Sequence, residues 1–166
     1  MHSHQLKPGQ GEPLPFNDPP VSQRSATRRA LIQALYQWAL NQSDAHAIIN
    51  QFVVDARLED CDVTMFRQML LGVVAQAPAL DEMFESYLDR SAKRLDPVEK
   101  MILRLGVFEM QSQLQTPYQV VINEAVELAK RFGGEQSHKY INGVLDRVAE
   151  DLRQIEKSSQ SSRSPS

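Results

Sequence analysis

The sequence predicts an all-α fold of about seven helices. Three observations carry that prediction: apolar residues recur at helical spacing along most of the chain, two helix starts combine a capping residue with a proline, and no stretch shows the apolar–polar alternation of a half-buried strand. A chain of 166 residues is the size of one ordinary domain with room for a substantial core. The connections are short, so the helices are expected to pack as antiparallel neighbours in a compact bundle.

The first helix is expected over about 24–42, where Leu31, Ala34, Leu35 and Trp38 follow the i, i+3, i+4, i+7 template. Ile48, Ile49, Phe52 and Val53 mark the second. Asp62 is placed to cap a third, whose stripe is Phe66, Met69, Leu70 and Val73. Pro78 is expected to break the chain there, since proline lacks an amide donor and clashes with the preceding turn. A fourth helix then carries Leu80, Met83, Phe84, Tyr87 and Leu88. Asp96-Pro97-Val98-Glu99 is the sharpest start signal, with cap, proline at the first position and glutamate at the third. Thr116 repeats the logic with Pro117 and Gln119, opening a helix with Ile122, Ala125, Val126 and Ala129 on one face. Gly133-Gly134 ends it, and Ile141, Val144, Leu145 and Val148 stripe the last helix.

The ends differ in composition from the folded part, which spans about 22–155. Residues 1–21 hold five of the nine prolines and almost no apolar periodicity, so a disordered arm is expected. Residues 156–166 are serine-rich and are expected to be a disordered tail. The net charge of −3 and a pI near 5.8 argue against nucleic-acid binding through overall positive charge, so any such binding needs a local basic patch. Cys61 is the one cysteine, which excludes an internal disulfide and a multi-cysteine zinc site. Its neighbours Asp60 and Asp62 disfavour the thiolate. The longest apolar run, Met69 to Ala75, is too short to span a bilayer, and the N-terminus has no hydrophobic signal region, so no membrane role and a cytoplasmic setting are expected.

Searches for catalytic chemistry are empty: there is no glycine-rich phosphate loop, no G-x-S-x-G and no H-E-x-x-H. His2 and His4 lie on the N-terminal arm, and His46 and His138 have no ligand-spaced companions, so no metal and no cofactor are expected. Glu124 and Glu127 form a helical pair more typical of a solvated face than of acid–base catalysis. Asn123 and Asn142 stand among apolar residues and, with Arg104, Glu109 and Glu124, are expected to tie helices together through hydrogen bonds.

The basic residues are more informative. Arg24, Arg28 and Arg29 open the first helix, and no acidic residue occurs from Val21 to Gln42. Cations at the positive end of a helix dipole repel it, and an external phosphate relieves that repulsion. A solvated arginine cluster is the other reading of the same residues. Lys130, Arg131, His138, Lys139 and Arg147 lie around Tyr140, a pairing of cations with an aromatic face that suits single-stranded nucleic acid. The middle of the chain, from Asp55 to Asp62 and from Asp81 to Asp89, is acidic instead.

RRALIQALYQW at 28–38, LDPVEKMILRLGVFEM at 95–110, PYQVVINEAVELAKRFGG at 117–134 and HKYINGVLDRV at 138–148 together resemble the NusB family of bacterial transcription antitermination factors. The resemblance covers about 24–150. It implies two helical subdomains and no catalytic activity. It further implies binding of the uracil-rich boxA element of ribosomal RNA transcripts together with NusE, a small-subunit ribosomal protein, within an RNA polymerase antitermination complex. The family's RNA contacts map onto Arg24, Arg28 and Arg29 of the first helix and Tyr140 of the last, beside which Lys139 and Arg147 on the outer edge are expected to join the RNA surface. The acidic contact of its NusE-facing helix maps onto Glu99, with Val98, Met101 and Ile102 nearby. Ser25, Ala26 and Thr27 separate the cations more than is usual in the family, and Tyr140 stands where phenylalanine is common. Two other readings stand beside this one. A fused RNA cytosine methyltransferase needs a downstream cofactor domain for which the chain has no length, and a purely protein-binding adaptor makes the arginines only a soluble surface. A homodimer that buries the arginine helix is open, though no residue requires it.

Overall fold

Helices form where the apolar spacing places them. The computed structural model describes residues 21–89, 94–154, 156 and 158, and among these it shows six helices: α1 (Gln23–Asn41), α2 (Ala45–Val54), α3 (Val63–Glu85), α4 (Pro97–Ser112), α5 (Tyr118–Phe132) and α6 (Ser137–Leu152). The proline-rich arm up to residue 20 and most of the serine-rich tail lie outside the described residues.

Short side chains set the starts. Ser22 accepts from the Ser25 amide at 3.1 Å, Asp44 from Ala47 at 3.1 Å and Asp62 from Met65 at 3.0 Å, each satisfying an amide that the helix itself leaves open. At α4 the predicted capping box is complete: Asp96 accepts from Val98 at 2.7 Å, and Glu99 reaches back to the Asp96 amide at 3.3 Å. Helix α5 begins one residue later than predicted, with Pro117 rather than Thr116 at the cap position and no side-chain cap there. The Tyr118 amide instead donates to Glu156 Oε2 at 3.0 Å, so a residue assigned by composition to the tail takes part in the fold.

The predicted break at Pro78 does not occur. Pro78 lies inside α3, and the expected third and fourth helices are one. Val73, Ala77, Leu80 and Phe84 are all buried and follow one another by four, three and four residues, so a single apolar stripe runs through the proline and outweighs the one amide it lacks. Tyr87 and Leu88 fall in the turn after the helix, their amides bonded to Phe84 and Glu85 carbonyls. By length and composition α3 would suffice to cross a bilayer, which the run-length reading missed, but its buried stripe is that of a core helix.

The chain divides into two compact units, Met1–Val74 and Ala75–Ser166, with the boundary inside α3. In the first, Leu31, Ile32 and Leu35 of α1 and Ile48, Ile49 and Phe52 of α2 are buried together with Phe66, Met69 and Leu70. Phe52 and Phe66 stack with centroids 5.4 Å apart, and the Arg57 guanidinium sits 3.9 Å above the Phe52 ring. In the second, α4 packs against both α5 and α6, and every residue of α4 from Met101 to Met110 is buried. A helix apolar over most of its circumference, with Arg104 and Glu109 as the charges in this stretch, takes a central place. Gly106 lets α6 approach, since a Cβ there would lie 2.8 Å from Leu145 Cδ1.

Candidate nucleic-acid interface

The basic residues predicted to form a site fall in two places, α1 in the first unit and α6 in the second. On α1, no acidic residue enters the first turn, so the positive end of the dipole and the cations add. Arg24 is exposed and Arg29 half-buried. Arg28 departs from the expectation, being only 2% exposed, because the apolar face containing Leu31, Ile32 and Leu35 turns position 28 inward with it. Its guanidinium serves the interior of this structure and presents no surface for a phosphate. Thr27, also buried, donates to the Gln23 carbonyl at 2.7 Å and accepts from the Asp62 amide at 2.9 Å, joining α1 to the start of α3. Cys61 lies beside this contact. Burial pushes its thiol up and Asp60 adds to that, while the hydrogen bond with Thr27 works the other way. The direction agrees with the sequence reading, but burial and not the flanking carboxylates is the larger cause.

On α6, Lys139 and Arg147 are exposed and Tyr140 is half-buried, with its hydroxyl oxygen turned away from solvent. Arg147 lies 5.0 Å from the centre of the Tyr87 ring, and the Tyr87 hydroxyl donates to Asp151. Of the neighbouring cations, Lys130 pairs with Glu127 at 3.5 Å on an exposed face. Arg131 is half-buried with its guanidinium 5.5 Å from the Phe132 ring, and His138 is half-buried near the start of α6.

The four residues mapped to a partner surface are placed differently from expectation. Val98, Glu99, Met101 and Ile102 are all buried, because the helix that carries them is enclosed by its own unit. Glu99 is 7% exposed and is engaged on both oxygens, by the Asp96 amide and by the Ser137 hydroxyl at 2.9 Å. Asn123 and Asn142 are corrected in the opposite sense: both are exposed, each one position off the buried stripe of its helix, and they do not tie the helices together. Arg104 does fulfil its predicted role, with Nε and Nη2 each 2.7 Å from one oxygen of Asp81, a two-pronged bond from α4 to α3.

Sequence reasoning missed Arg153. Its guanidinium, 4% exposed, donates to the carbonyls of Met110 (2.8 Å), Glu109 (3.3 Å), Gln113 (3.1 Å) and Thr116 (3.0 Å) and to Glu156 Oε1 (2.6 Å). It thus caps the C-terminus of α4 and holds the connection to α5. No group of three or more His, Cys, Asp or Glu side chains placed to hold a metal occurs among the described residues.

The model of the NusB family matches residues 25–150, nearly the whole described part. The chain belongs to the NusB family. It is 53% identical over 157 residues to the transcription antitermination protein NusB of Hydrogenovibrio crunogenus, covering 95% of this chain and 98% of that protein. The crystal structure of T. maritima NusB is similar with a TM-score of 0.71 and 30% identity, over 84% of this chain and 99% of that one. A structure of the antitermination factors NusB and NusE in complex with dsRNA gives 0.68 and 26%, over 76% of this chain and 96% of that one. NusB-family membership makes this a regulatory protein of transcription antitermination and not an enzyme.

Proposed function

We propose that this NusB-family chain binds the boxA element of ribosomal RNA transcripts together with NusE, joins the RNA polymerase antitermination complex, and acts in the cytoplasm. The observation that carries the reading is the likeness to the NusB that is solved with NusE and dsRNA, together with identity to named antitermination proteins over nearly the full chain. The surface chemistry supports it. Exposed Arg24 and half-buried Arg29 stand at a helix start without acidic residues, and α6 carries exposed Lys139 and Arg147 and half-buried Tyr140. Phosphates meet the cations, and a base stacks on the tyrosine face, a contact that tolerates the buried hydroxyl because it uses the ring. Arg28 and Glu99 support the fold around these surfaces.

Fluorescence anisotropy of a labelled boxA RNA against a scrambled control, across a salt series with and without NusE, tests the proposal. Tighter, sequence-dependent binding in the presence of NusE is expected. Equal and weak binding to both RNAs in every condition would leave a helical adaptor that recognises proteins only.

A further inference from the structure

Helix α6 starts without a cap of its own. Gln136 holds the cap position in the left-handed region, φ 71°, and makes no side-chain capping bond, and the first turn contains no acidic residue. Such a start offers its first amides no side-chain acceptor: those of Ser137, Lys139 and Tyr140 reach the carbonyls of Gly134 and Gln136 at 3.1, 3.2 and 3.4 Å, and the turn gains a further hold only from another part of the protein. Here the hold comes from α4. Ser137, the first residue of α6 and 3% exposed, donates its hydroxyl to Glu99 Oε2 at 2.9 Å, while Glu99 Oε1 takes the Asp96 amide at 3.3 Å. One buried carboxylate therefore joins the starts of α4 and α6. Gly133 makes room for this. A Cβ there would lie 2.7 Å from Ser137 Oγ and 2.7 Å from the Ala129 carbonyl oxygen, whereas a Cβ on Gly134 would meet nothing within 4 Å.

We infer that Glu99 is a positioning residue for RNA binding, acting through Ser137 to hold the first turn of α6 on which Lys139 and Tyr140 stand. The inference rests on the RNA reading above. It needs no contact between Glu99 and any partner, in keeping with the burial of that side chain. Because Ser137 is two and three residues before Lys139 and Tyr140, looseness at its hydroxyl moves both. A carboxylate acceptor makes a stronger bond than a neutral one, and its loss leaves a buried charge with one donor fewer.

The test uses the full chain with Ser137→Ala, Glu99→Gln and the double variant, none of which adds bulk. Hydrogen exchange of the amides at 137–140 is followed without RNA, and affinity is measured by anisotropy with a single-stranded uracil-rich RNA. Each single variant is expected to speed exchange at the first turn of α6, with α5 amides unchanged, and to weaken RNA binding about tenfold. The double variant is expected to be no worse than the stronger single one, as for two groups acting through one bond. Unchanged exchange in Ser137→Ala overturns the inference. Faster exchange with wild-type RNA affinity overturns it too, leaving a bond that serves only the fold. Loss of NusE binding in Glu99→Gln with exchange and RNA affinity intact would assign Glu99 to direct partner contact instead. A wild-type chain that binds no RNA overturns the proposed function, and the exchange measurement still decides whether Glu99 holds α6.

Discussion

Buried arginines carry much of the polar organisation of this protein, and Arg153 shows how. Four carbonyls from the end of α4 and the segment after it converge on one guanidinium, and Glu156 completes its shell. Arg153→Ala leaves those carbonyls unpaired, and a loss of about 3 kcal/mol in denaturant unfolding is expected. Arg153→Lys should recover little, since an ammonium cannot reach acceptors spread across a planar fork. Tyr87 gives a pH-dependent counterpart. Its phenol is held above the ordinary tyrosine range first by the hydrogen bond to the Asp151 carboxylate, then by burial and the charges of Asp151 and Glu150, with Arg147 opposing. A raised value means that the folded protein holds the phenol proton more tightly. Its stabilising effect is therefore present at neutral pH and is lost as pH rises through the folded value. Ultraviolet titration should find Tyr87 ionising above the ordinary range, and Asp151→Asn should bring it down; an unchanged titration curve in that variant would remove Asp151 as the cause.

At the scale of elements, Pro78 separates local rules from packing. A proline inside a helix forfeits one hydrogen bond and crowds the preceding turn, at a cost of up to about 3 kcal/mol. Pro78 is exposed, so Pro78→Ala touches no core contact and returns the missing amide. A gain of about 1–3 kcal/mol in unfolding free energy is expected, less whatever added freedom the unfolded chain acquires. No gain would mean that the surrounding structure had already absorbed the defect. The proline signal is strong in sequence, and it misled the reading because the stripe through Val73, Ala77, Leu80 and Phe84 spans both sides of it. The other boundaries were legible for a local reason: Asp62 and Asp96 act on amides two or three residues away, which spacing reveals. Arg153 was not legible, because apart from nearby Glu156 its acceptors are backbone carbonyls as far as 44 residues away, which carry no side-chain signature. Asn123 and Asn142 were misread through their apolar neighbours in sequence, although a helix turns successive residues to different faces.

For the molecule as a whole, net charge and local charge point in different directions. A chain of net charge −3 does not attract RNA by its total field, so the contacts counted by salt are those of a few exposed cations. Each phosphate met on a single strand contributes about −0.7 to the slope of log affinity against log salt. The burial pattern then divides the arginines that sequence placed together. Arg24→Ala, at an exposed position, is expected to weaken RNA binding and to make the slope shallower by about 0.7, with the unfolding midpoint unchanged. Arg28→Ala, at a position 2% exposed, is expected to lower the unfolding free energy by about 1–3 kcal/mol through loss of buried hydrogen-bonding and packing. Its salt slope should remain that of the wild type wherever the variant stays folded. The two variants thus separate charge that reaches the ligand from charge enclosed by the fold. If Arg28→Ala instead shifts the slope by about 0.7 with stability intact, Arg28 leaves its buried position to meet a phosphate when RNA binds.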